Sequence, residues 1–445
     1  MASLTNVVVA GGDAAAAVAR VEMLSPAGYA GLAVSNGLDV QSYVTERQPD
    51  LVLFEGAFDD VDAFEVARGL KRHETTQHIP IIMLTADASP HLLDEGFAAG
   101  FDDMLDADAA NEIILSRLQP LVRLSTMHAE FHRRIASAGK FGLSIDTEGV
   151  HDVDTKNCRV LFVGSDSGRA MALADALSTT EFSPVRETDH FKAGARVAEE
   201  TFDAAVIAVD EGDDTDKALN LCAHIRNNPR LFNLPVLLAT GNNQAELAEA
   251  AYGQGASIAV PSAPDVKMLA AGLRFLVRRQ RLRWNLHGPI TATLQPKTAD
   301  GLDGLYSKEF LRAHLAHLLD LGVRRQRNLS LALFSIQNIA GLSGNPKDAK
   351  FLMQQAADWI SGLVRVEDMA ARLGEMEICV ALPGAAEREA QQATDRIVGV
   401  LQNNQFKLSD GTPTGSQIWV QSGAVAAAQG ETAEALIARA RDNLA

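Results

Sequence analysis

A set of short, mainly apolar runs occurs twice in the first two thirds of the chain, in the same order. The first set is Val7–Val9, Leu51–Phe54 and Ile79–Leu84, and its counterparts are Arg159–Val163, Phe202–Ala208 and Leu234–Thr240. Continuous apolar runs of this length are typical of strands in a parallel sheet, and the segments between them have helical spacing. The repetition therefore predicts two α/β domains, each with a sheet covered by helices on both faces.

The order of elements in both sets resembles the receiver domain of response regulators, which has a flavodoxin-like fold. In Pro49–Glu55 the last residue stands where receivers have the phosphorylated aspartate. On this resemblance we place one degenerate receiver domain at residues 1–138 and a second at residues 155–286.

Phosphoryl transfer in receivers needs a carboxylate nucleophile, an acidic pair for Mg²⁺, a hydroxyl and a lysine. In the first domain the nucleophile position holds Glu55, the acidic-pair position Ala10–Gly12, the hydroxyl position Thr85 and the lysine position Ala107. In the second domain the nucleophile, acidic-pair and lysine positions hold Ala208, Gly164–Ser165 and Ser262. Phosphorylation is therefore not expected. Glu55 could imitate a permanently phosphorylated aspartate, or the site could have drifted after losing its use.

Each of the two domains ends in a long polar segment with helical spacing, Leu121–Ile135 and Leu273–Trp284. The second segment carries Arg274, Arg278, Arg279, Arg281 and Arg283. In an acidic protein we interpret it as a solvated stalk that pairs with acids of a neighbouring domain. A linker is predicted from His287 to Lys297, because Gly288-Pro289 should break regular structure.

Two stretches of the last third resemble the GGDEF family, whose active members make cyclic di-GMP. Asp300–Phe310 is similar to the family's opening Asp-x-Leu-Thr-Gly-Leu motif. Leu363–Ile378 is similar to its β-hairpin, in which an Arg-x-x-Asp pair lies shortly before the catalytic Gly-Gly-Asp/Glu-Glu-Phe turn. The resemblance covers residues 299–445 and implies a ferredoxin-like antiparallel sheet with flanking helices.

The first core strand, the segment after it and the catalytic turn depart from the family at the positions where active members hold cations, guanine and the phosphates. Those positions are occupied here by Ser335, Gln337, Ser343, Glu375 and Met376. Only Glu377 keeps its family identity, and one acid cannot hold two divalent cations. Because phosphoryl transfer depends on stabilising the triphosphate's charge, we expect no cyclase activity, no metal and no cofactor.

The resemblance also implies a product-binding site for cyclic di-GMP at Arg365 and Asp368, completed by Arg396 in the following helix. A guanidinium can bind a guanine edge or phosphate oxygens with two hydrogen bonds, and a nearby carboxylate can accept from guanine N–H groups. The alternative is an exposed ion pair between Arg365 and Asp368 that binds nothing.

Composition limits the partners. A formal net charge of −17 argues against a general nucleic-acid binder, so we expect no DNA partner. The three cysteines are far apart in sequence and indicate buried, reduced thiols. No apolar run approaches the length of about 18 residues typical of a membrane span, which predicts a cytoplasmic protein without membrane insertion.

The order receiver, receiver, GGDEF, with a degenerate catalytic turn and a retained product site, resembles the PopA-like group of response regulators. That resemblance implies a cyclic di-GMP effector at the cell pole, which helps deliver the regulator CtrA to the protease ClpXP through the adaptor RcdA. A homodimer formed through receiver surfaces is also expected. Two alternatives remain open: a weak diguanylate cyclase, and a scaffold that binds no nucleotide.

Overall fold

Five short strands form the first sheet, because their apolar residues can be buried on both faces. In the computed structural model, which describes residues 5–166, 168–228, 230–241, 245–260, 265–325, 327–342 and 345–444, the strand order is β2-β1-β3-β4-β5. The strands are β1 (Thr5–Ala10), β2 (Tyr29–Val34), β3 (Leu51–Glu55), β4 (Ile81–Thr85) and β5 (Asp103–Asp106). The helices are α1 (Ala14–Leu24), α2 (Gly37–Arg47), α3 (Ala63–Arg72), α4 (Pro90–Ala99) and α5 (Asn111–Lys140), with a 3₁₀ turn at Ser25–Ala27.

The second sheet repeats this arrangement, with the order β10-β9-β8-β6-β7. Its strands are β6 (Cys158–Val163), β7 (Phe182–Glu187), β8 (Ala204–Val209), β9 (Val236–Thr240) and β10 (Ile258–Val260). Its helices are α6 (Gly168–Leu177), α7 (His190–Glu199), α8 (Thr215–Asn227), α9 (Ala245–Gly253) and α10 (Val266–Thr291). The prediction of two flavodoxin-like domains is confirmed, since both sheets place their strands in the same 2-1-3-4-5 order.

The third sheet is antiparallel, with the order β12-β13-β11-β14. Its strands are β11 (Leu329–Ile336), β12 (Met369–Arg372), β13 (Glu377–Pro383) and β14 (Val420–Ala426). The helices are α11 (Lys308–Arg325), α12 (Ile339–Leu342), α13 (Pro346–Leu363), α14 (Glu387–Asn403) and α15 (Ala433–Asp442). This order is that of a split β-α-β fold, which confirms the predicted ferredoxin-like architecture.

Residue alternation along β11 explains why helices cover both faces of the third sheet. Phe334 faces one core, which contains residues of α13 and α14, and Leu333 faces the other, which contains residues of α11 and α15. Successive strand side chains point to opposite faces, so a strand buried along its whole length needs cover on each side.

The described residues fall into two compact units. One contains both flavodoxin-like domains (Asn6–Ser125 and Gly149–Asn285), and the other contains Thr126–Glu148 and Leu286–Ala445. Helix α5 therefore begins in the first unit, and its residues from Thr126 belong to the second. Within the described helices, no segment is both long and apolar enough to cross a membrane.

The predicted linker at His287 is wrong, because α10 continues to Thr291. Leu286 and Ile290 are fully buried one helical turn apart, and this packing outweighs the backbone hydrogen bond that Pro289 removes. Tertiary burial has overridden a local breaker signal.

Arg274 and Arg281 of α10 pair with acids as expected, but the helix is not a solvated stalk. Arg274 forms an ion pair with Asp94 of the first α/β domain, and Arg281 Nε lies 2.7 Å from Asp203 Oδ1. Leu273, however, is fully buried along with much of the same helix. The apolar positions pack inward, and the arginines satisfy their charges at the edges.

One buried ion pair provides a test of the first α/β domain. Arg117 of α5 and Asp103 of β5 form a bidentate pair whose side chains are 7% and 2% exposed. Asp103→Ala should lower the free energy of unfolding by about 3–5 kcal/mol, because it leaves a guanidinium buried without its partner.

Urea unfolding followed by circular dichroism measures this loss. The matched control is Asp175→Ala, which breaks the exposed Arg186–Asp175 pair and should cost less than about 1 kcal/mol. Equal shifts in the two variants would show that burial does not determine the value of these pairs.

Candidate functional site

The Arg365–Asp368 segment is a tight turn between α13 and β12. Helix α13 ends where the N–H of Val364 donates to the Ile360 carbonyl. The N–H of Asp368 then donates to the Arg365 carbonyl at 3.1 Å, and Asp368 Oδ2 accepts the N–H of Arg365 at 2.9 Å. These two hydrogen bonds close the turn from both ends, as an aspartate side chain often does.

The predicted ligand residues come together at this turn. Arg365 is exposed, and Arg396 of α14 is exposed with its Nη2 3.4 Å from the carbonyl oxygen of Leu363, two residues before Arg365. In the part of the chain that the structure describes, the Arg365 guanidinium has no hydrogen bond or ion pair, and the Asp368 carboxylate instead accepts its backbone N–H. The turn is therefore not the simple exposed ion pair that was the alternative.

Asp368 is buried, and this changes its ionisation. Burial, together with the neighbouring Glu367 carboxylate, raises the pKa of Asp368 from 3.8 to about 7, while the guanidinium and backbone N–H of Arg365 oppose the rise. The carboxyl group is thus close to half ionised at neutral pH. It can change its charge state when a hydrogen-bond donor arrives.

The turn is held from behind by Arg134 of α5, whose side chain is 2% exposed. Arg134 Nη1 donates to the Val366 carbonyl at 3.0 Å, and Nη2 donates to the carbonyls of Glu367 and Asp368 at 2.7 and 3.2 Å. Three successive carbonyl oxygens of the ligand turn are therefore bound by one guanidinium.

Glu130 holds the Arg134 side chain in its position. Its Oε1 accepts from Arg134 Nε at 2.8 Å and from His314 Nε2 at 2.7 Å, and Ser137 Oγ lies 3.0 Å from His314 Nδ1. Burial alone would raise the pKa of Glu130, but His314 and Arg134 outweigh it and lower that pKa to about 2. Glu130 therefore stays charged throughout the neutral range.

Apart from the exposed carboxylate of Glu375, the family's cation positions in the catalytic-turn region hold neutral or already paired groups. Ser335 lies opposite Glu377 in the β11–β13 register, and Ser335 Oγ accepts from Gln337 Nε2 at 2.8 Å. Met376 packs against the hydrophobic core under the sheet. Glu377 forms an ion pair with Arg441 at 2.6 Å, so its charge is already compensated. Ser343 lies outside the described residues.

The backbone carbonyls of the catalytic turn already accept hydrogen bonds from an arginine side chain. Arg372 Nε donates to the Gly374 carbonyl at 3.0 Å, and Arg372 Nη2 donates to the Glu375 carbonyl at 3.1 Å. Its Nη1 lies 3.2 Å from Asp300 Oδ1. The hairpin tip is thus fixed by an arginine of the chain itself.

An arginine stands beside the nucleophile position of the first α/β domain. Arg20 of α1 donates from Nε to Glu55 Oε2 at 2.7 Å and from Nη2 to Glu55 Oε1 at 3.0 Å. The same Nη2 lies 3.5 Å from the carbonyl of Ala107, the residue at the lysine position. A Cβ added at Gly11 would lie 2.3 Å from the Glu55 carbonyl oxygen, so no acidic side chain fits there without movement.

The second α/β domain has a similar arginine–carboxylate pair, but its acid lies two residues after the nucleophile position. Ala208 occupies the nucleophile position, and Arg169 of α6 pairs with Asp210 at 2.7 Å. Ser262 at the lysine position lies outside the described residues. Sequence reasoning missed Arg20, Arg169 and Arg134, because no local pattern connects an arginine to a partner 35 or more residues away.

A carboxyl titration tests the environment of Asp368. In ¹³C NMR the Asp368 carboxyl should titrate near pH 7, and in Arg365→Ala its pKa should rise further because an opposing positive charge is lost. A pKa raised from 3.8 to about 7 also means that the folded form binds the proton more tightly than the unfolded form. The contribution of Asp368 to the free energy of unfolding therefore falls as the pH rises from about 3.8 to about 7.

The control for this titration is Arg388→Ala. This change removes an exposed arginine two helical turns before Arg396 in α14 and should leave the Asp368 titration unchanged. Titration of Asp368 near its ordinary value in the unaltered protein would contradict the buried turn.

Comparison with known proteins identifies two parts of the chain. Residues 297–445 match the model of the diguanylate cyclase GGDEF domain, and residues 7–119 match that of the response regulator receiver domain. Response regulator PleD of Caulobacter vibrioides is 25% identical over 400 residues, which is 89% of this chain and 86% of PleD. The phosphate regulon regulator PhoB of Pseudomonas aeruginosa is 34% identical over 100 residues, or 22% of this chain and 44% of PhoB.

Among solved structures, the chain is similar to the GGDEF domain of DgcB from Caulobacter crescentus, solved in complex with c-di-GMP. That match is 20% identical, covers 33% of this chain and 85% of the other, and has a TM-score of 0.32. The FimX GGDEF domain of Pseudomonas aeruginosa is 19% identical, with coverage of 33% and 90% and a TM-score of 0.31. The chain thus combines a response regulator receiver domain with a GGDEF domain and is related to PleD.

Proposed function

We propose that this protein is a cyclic di-GMP-binding effector without diguanylate cyclase activity, similar to the PopA-like group. The observation that carries the proposal is the Arg365 guanidinium, which is exposed and unpaired among the described residues, above a turn whose backbone is fully fixed. Because the turn is already fixed, anion binding needs to order only the Arg365 side chain, which costs about 0.5–1.5 kcal/mol, and not the backbone that carries it.

The chemistry of the ligand fits the residues at the turn. Cyclic di-GMP offers two phosphate charges and two guanine edges, and Arg365 and Arg396 supply guanidinium groups for either. Asp368 supplies a carboxylate for guanine N–H donors. Burial raises the pKa of Asp368 and so favours its neutral form, whereas hydrogen bonds donated by guanine N–H groups should favour the ionised form.

The residues at the hairpin support the absence of cyclase activity. Two Mg²⁺ ions need several hard oxygen ligands, whereas Ser335 and Gln337 are neutral and Met376 is turned into the core. Glu377 is neutralised by Arg441. A bound triphosphate would therefore lack the cations that stabilise its transition state.

The proposal assigns a binding role to the other domains as well. Residues 1–138 and 155–286 would be degenerate receivers, and residues 299–445 the degenerate GGDEF domain. The similarity to PleD over 89% of this chain supports this order. By resemblance, the receivers would form a homodimer and dock partners at the cell pole, where RcdA, CtrA and ClpXP act. DNA binding is not part of the proposal.

Calorimetry tests the ligand site. Arg365→Ala should weaken cyclic di-GMP binding by at least about tenfold, since hydrogen bonds from a charged group contribute about 1.5–3 kcal/mol. The control Arg388→Ala should retain the affinity of the unaltered protein. Equal heats for both variants would remove Arg365 from the site, and no binding by the unaltered protein would favour a ligand-free scaffold.

A turnover assay tests the absence of cyclase activity. Incubation of the protein with GTP and either Mg²⁺ or Mn²⁺ should give no cyclic di-GMP above a blank without enzyme, as measured by chromatography. PleD, assayed in parallel, confirms that the conditions detect a cyclase. Product that depends on this protein would establish the weak-cyclase alternative instead.

A further inference from the structure

We infer that Arg134 of α5 is a positioning residue of the ligand turn, so that the proposed cyclic di-GMP site includes a helix outside residues 299–445. This inference rests on the proposed function for its ligand and on contacts within one compact unit for its geometry. In the proposed site Arg134 touches no ligand atom. It acts through the backbone that carries Arg365 and Asp368.

Most of the hydrogen bonds that Arg134 donates go to the backbone of the ligand turn. Four N–H donations leave Arg134: one goes to Glu130, and three go to the carbonyls of Val366, Glu367 and Asp368. With these three carbonyls bound on the inner side, the peptide planes of the turn are fixed. The Arg365 side chain is then left on the exposed side.

The burial of Arg134 and Glu130 also holds the turn in place. Arg134 and Glu130 are 2% and 0% exposed, so no water competes with the carbonyl oxygens for the guanidinium while the turn is in place. Moving the turn would leave a buried guanidinium with unsatisfied donors, which is costly. The face of the Tyr306 ring, 5.7 Å from the guanidinium carbon, further restricts its position.

Only an arginine at position 134 has enough donors to bind all of these oxygens. A lysine has one donor atom and could reach one or two of these oxygens, whereas the planar guanidinium reaches all of them together. Arg134→Lys therefore keeps the charge but releases part of the turn. The matched control is Arg117→Lys, which alters another buried, bidentate arginine of α5 that does not touch the turn.

Hydrogen exchange measured without ligand tests the geometry alone. In Arg134→Lys the backbone amides of the Arg365–Met369 segment should exchange about tenfold faster, because local opening becomes easier. In Arg117→Lys this segment should be unchanged. Unchanged exchange at the turn in Arg134→Lys would overturn the inference, whether or not the protein binds cyclic di-GMP.

Calorimetry with cyclic di-GMP tests the consequence for binding. Arg134→Lys should weaken the affinity about tenfold, and Arg117→Lys should change it less than about twofold. In a double-mutant cycle the loss from Arg134→Lys should be much smaller on an Arg365→Lys background, because both changes affect the same contact. Additive losses would indicate a general structural effect and would overturn the positioning role.

Two further outcomes separate this inference from the proposed function. If the unaltered protein binds no cyclic di-GMP, the proposed function fails, and the exchange measurement alone decides the role of Arg134. If Arg134→Lys does not fold, the isosteric Glu130→Gln weakens the support of Arg134 more gently. It should then accelerate exchange at the turn in the same direction, and no change in that variant would overturn the inference.

Discussion

A buried or half-buried charge is stable only when a partner compensates it, and arginine is the partner that this chain uses at each altered site. The pairs and contacts are Arg20 with Glu55, Arg169 with Asp210, Arg441 with Glu377, and Arg372 with the hairpin carbonyls. In active members of the two families, metal ions, a lysine and bound phosphates meet in these places. Here the compensating cations are covalent parts of the protein.

This substitution has a consequence for signalling. A metal ion or a phosphoryl group comes and goes, so the site that holds it can switch between two states. A guanidinium that is always charged and always present favours one state. In the proposed function these paired sites would be fixed parts of the scaffold, and the exposed arginines of the turn, Arg365 and Arg396, would meet the diffusible anion.

Local sequence patterns predicted the sheets well, because a strand or helix is determined by residues close together in the chain. Apolar runs located β3, β4, β8 and β9, and the hairpin motif located β12 and β13. The same patterns failed at His287, where burial of Leu286 and Ile290 continues the helix through Pro289. A breaker signal is local, but the packing that outweighs it is not.

The candidate site also combines features that local sequence patterns predict with contacts between residues far apart in the chain, which they do not. Family motifs brought Arg365, Asp368 and Arg396 together, and the structure places them around one turn. The support beneath them could not be predicted, since Arg134 lies more than 230 positions before the carbonyls it binds. Nor could the spacing of Arg365 and Asp368 tell whether the aspartate would pair with the guanidinium or accept the backbone N–H.

The ionisation of Asp368 reconciles an acidic protein with an anionic ligand. At a formal charge of −17, the long-range field repels a dianion, so attraction must come from the local arrangement. Because burial raises the pKa of Asp368, the neutral form of its carboxyl group is populated beside Arg365 more than in an ordinary aspartate, and in that form the turn is more positive. In the proposed complex, guanine N–H groups that donate to this carboxyl group would favour its ionised form, because hydrogen bonds to the charged form stabilise it. In the proposed complex the buried aspartate would serve both steps: its neutral form repels the phosphates less, and its ionised form accepts hydrogen bonds from the base.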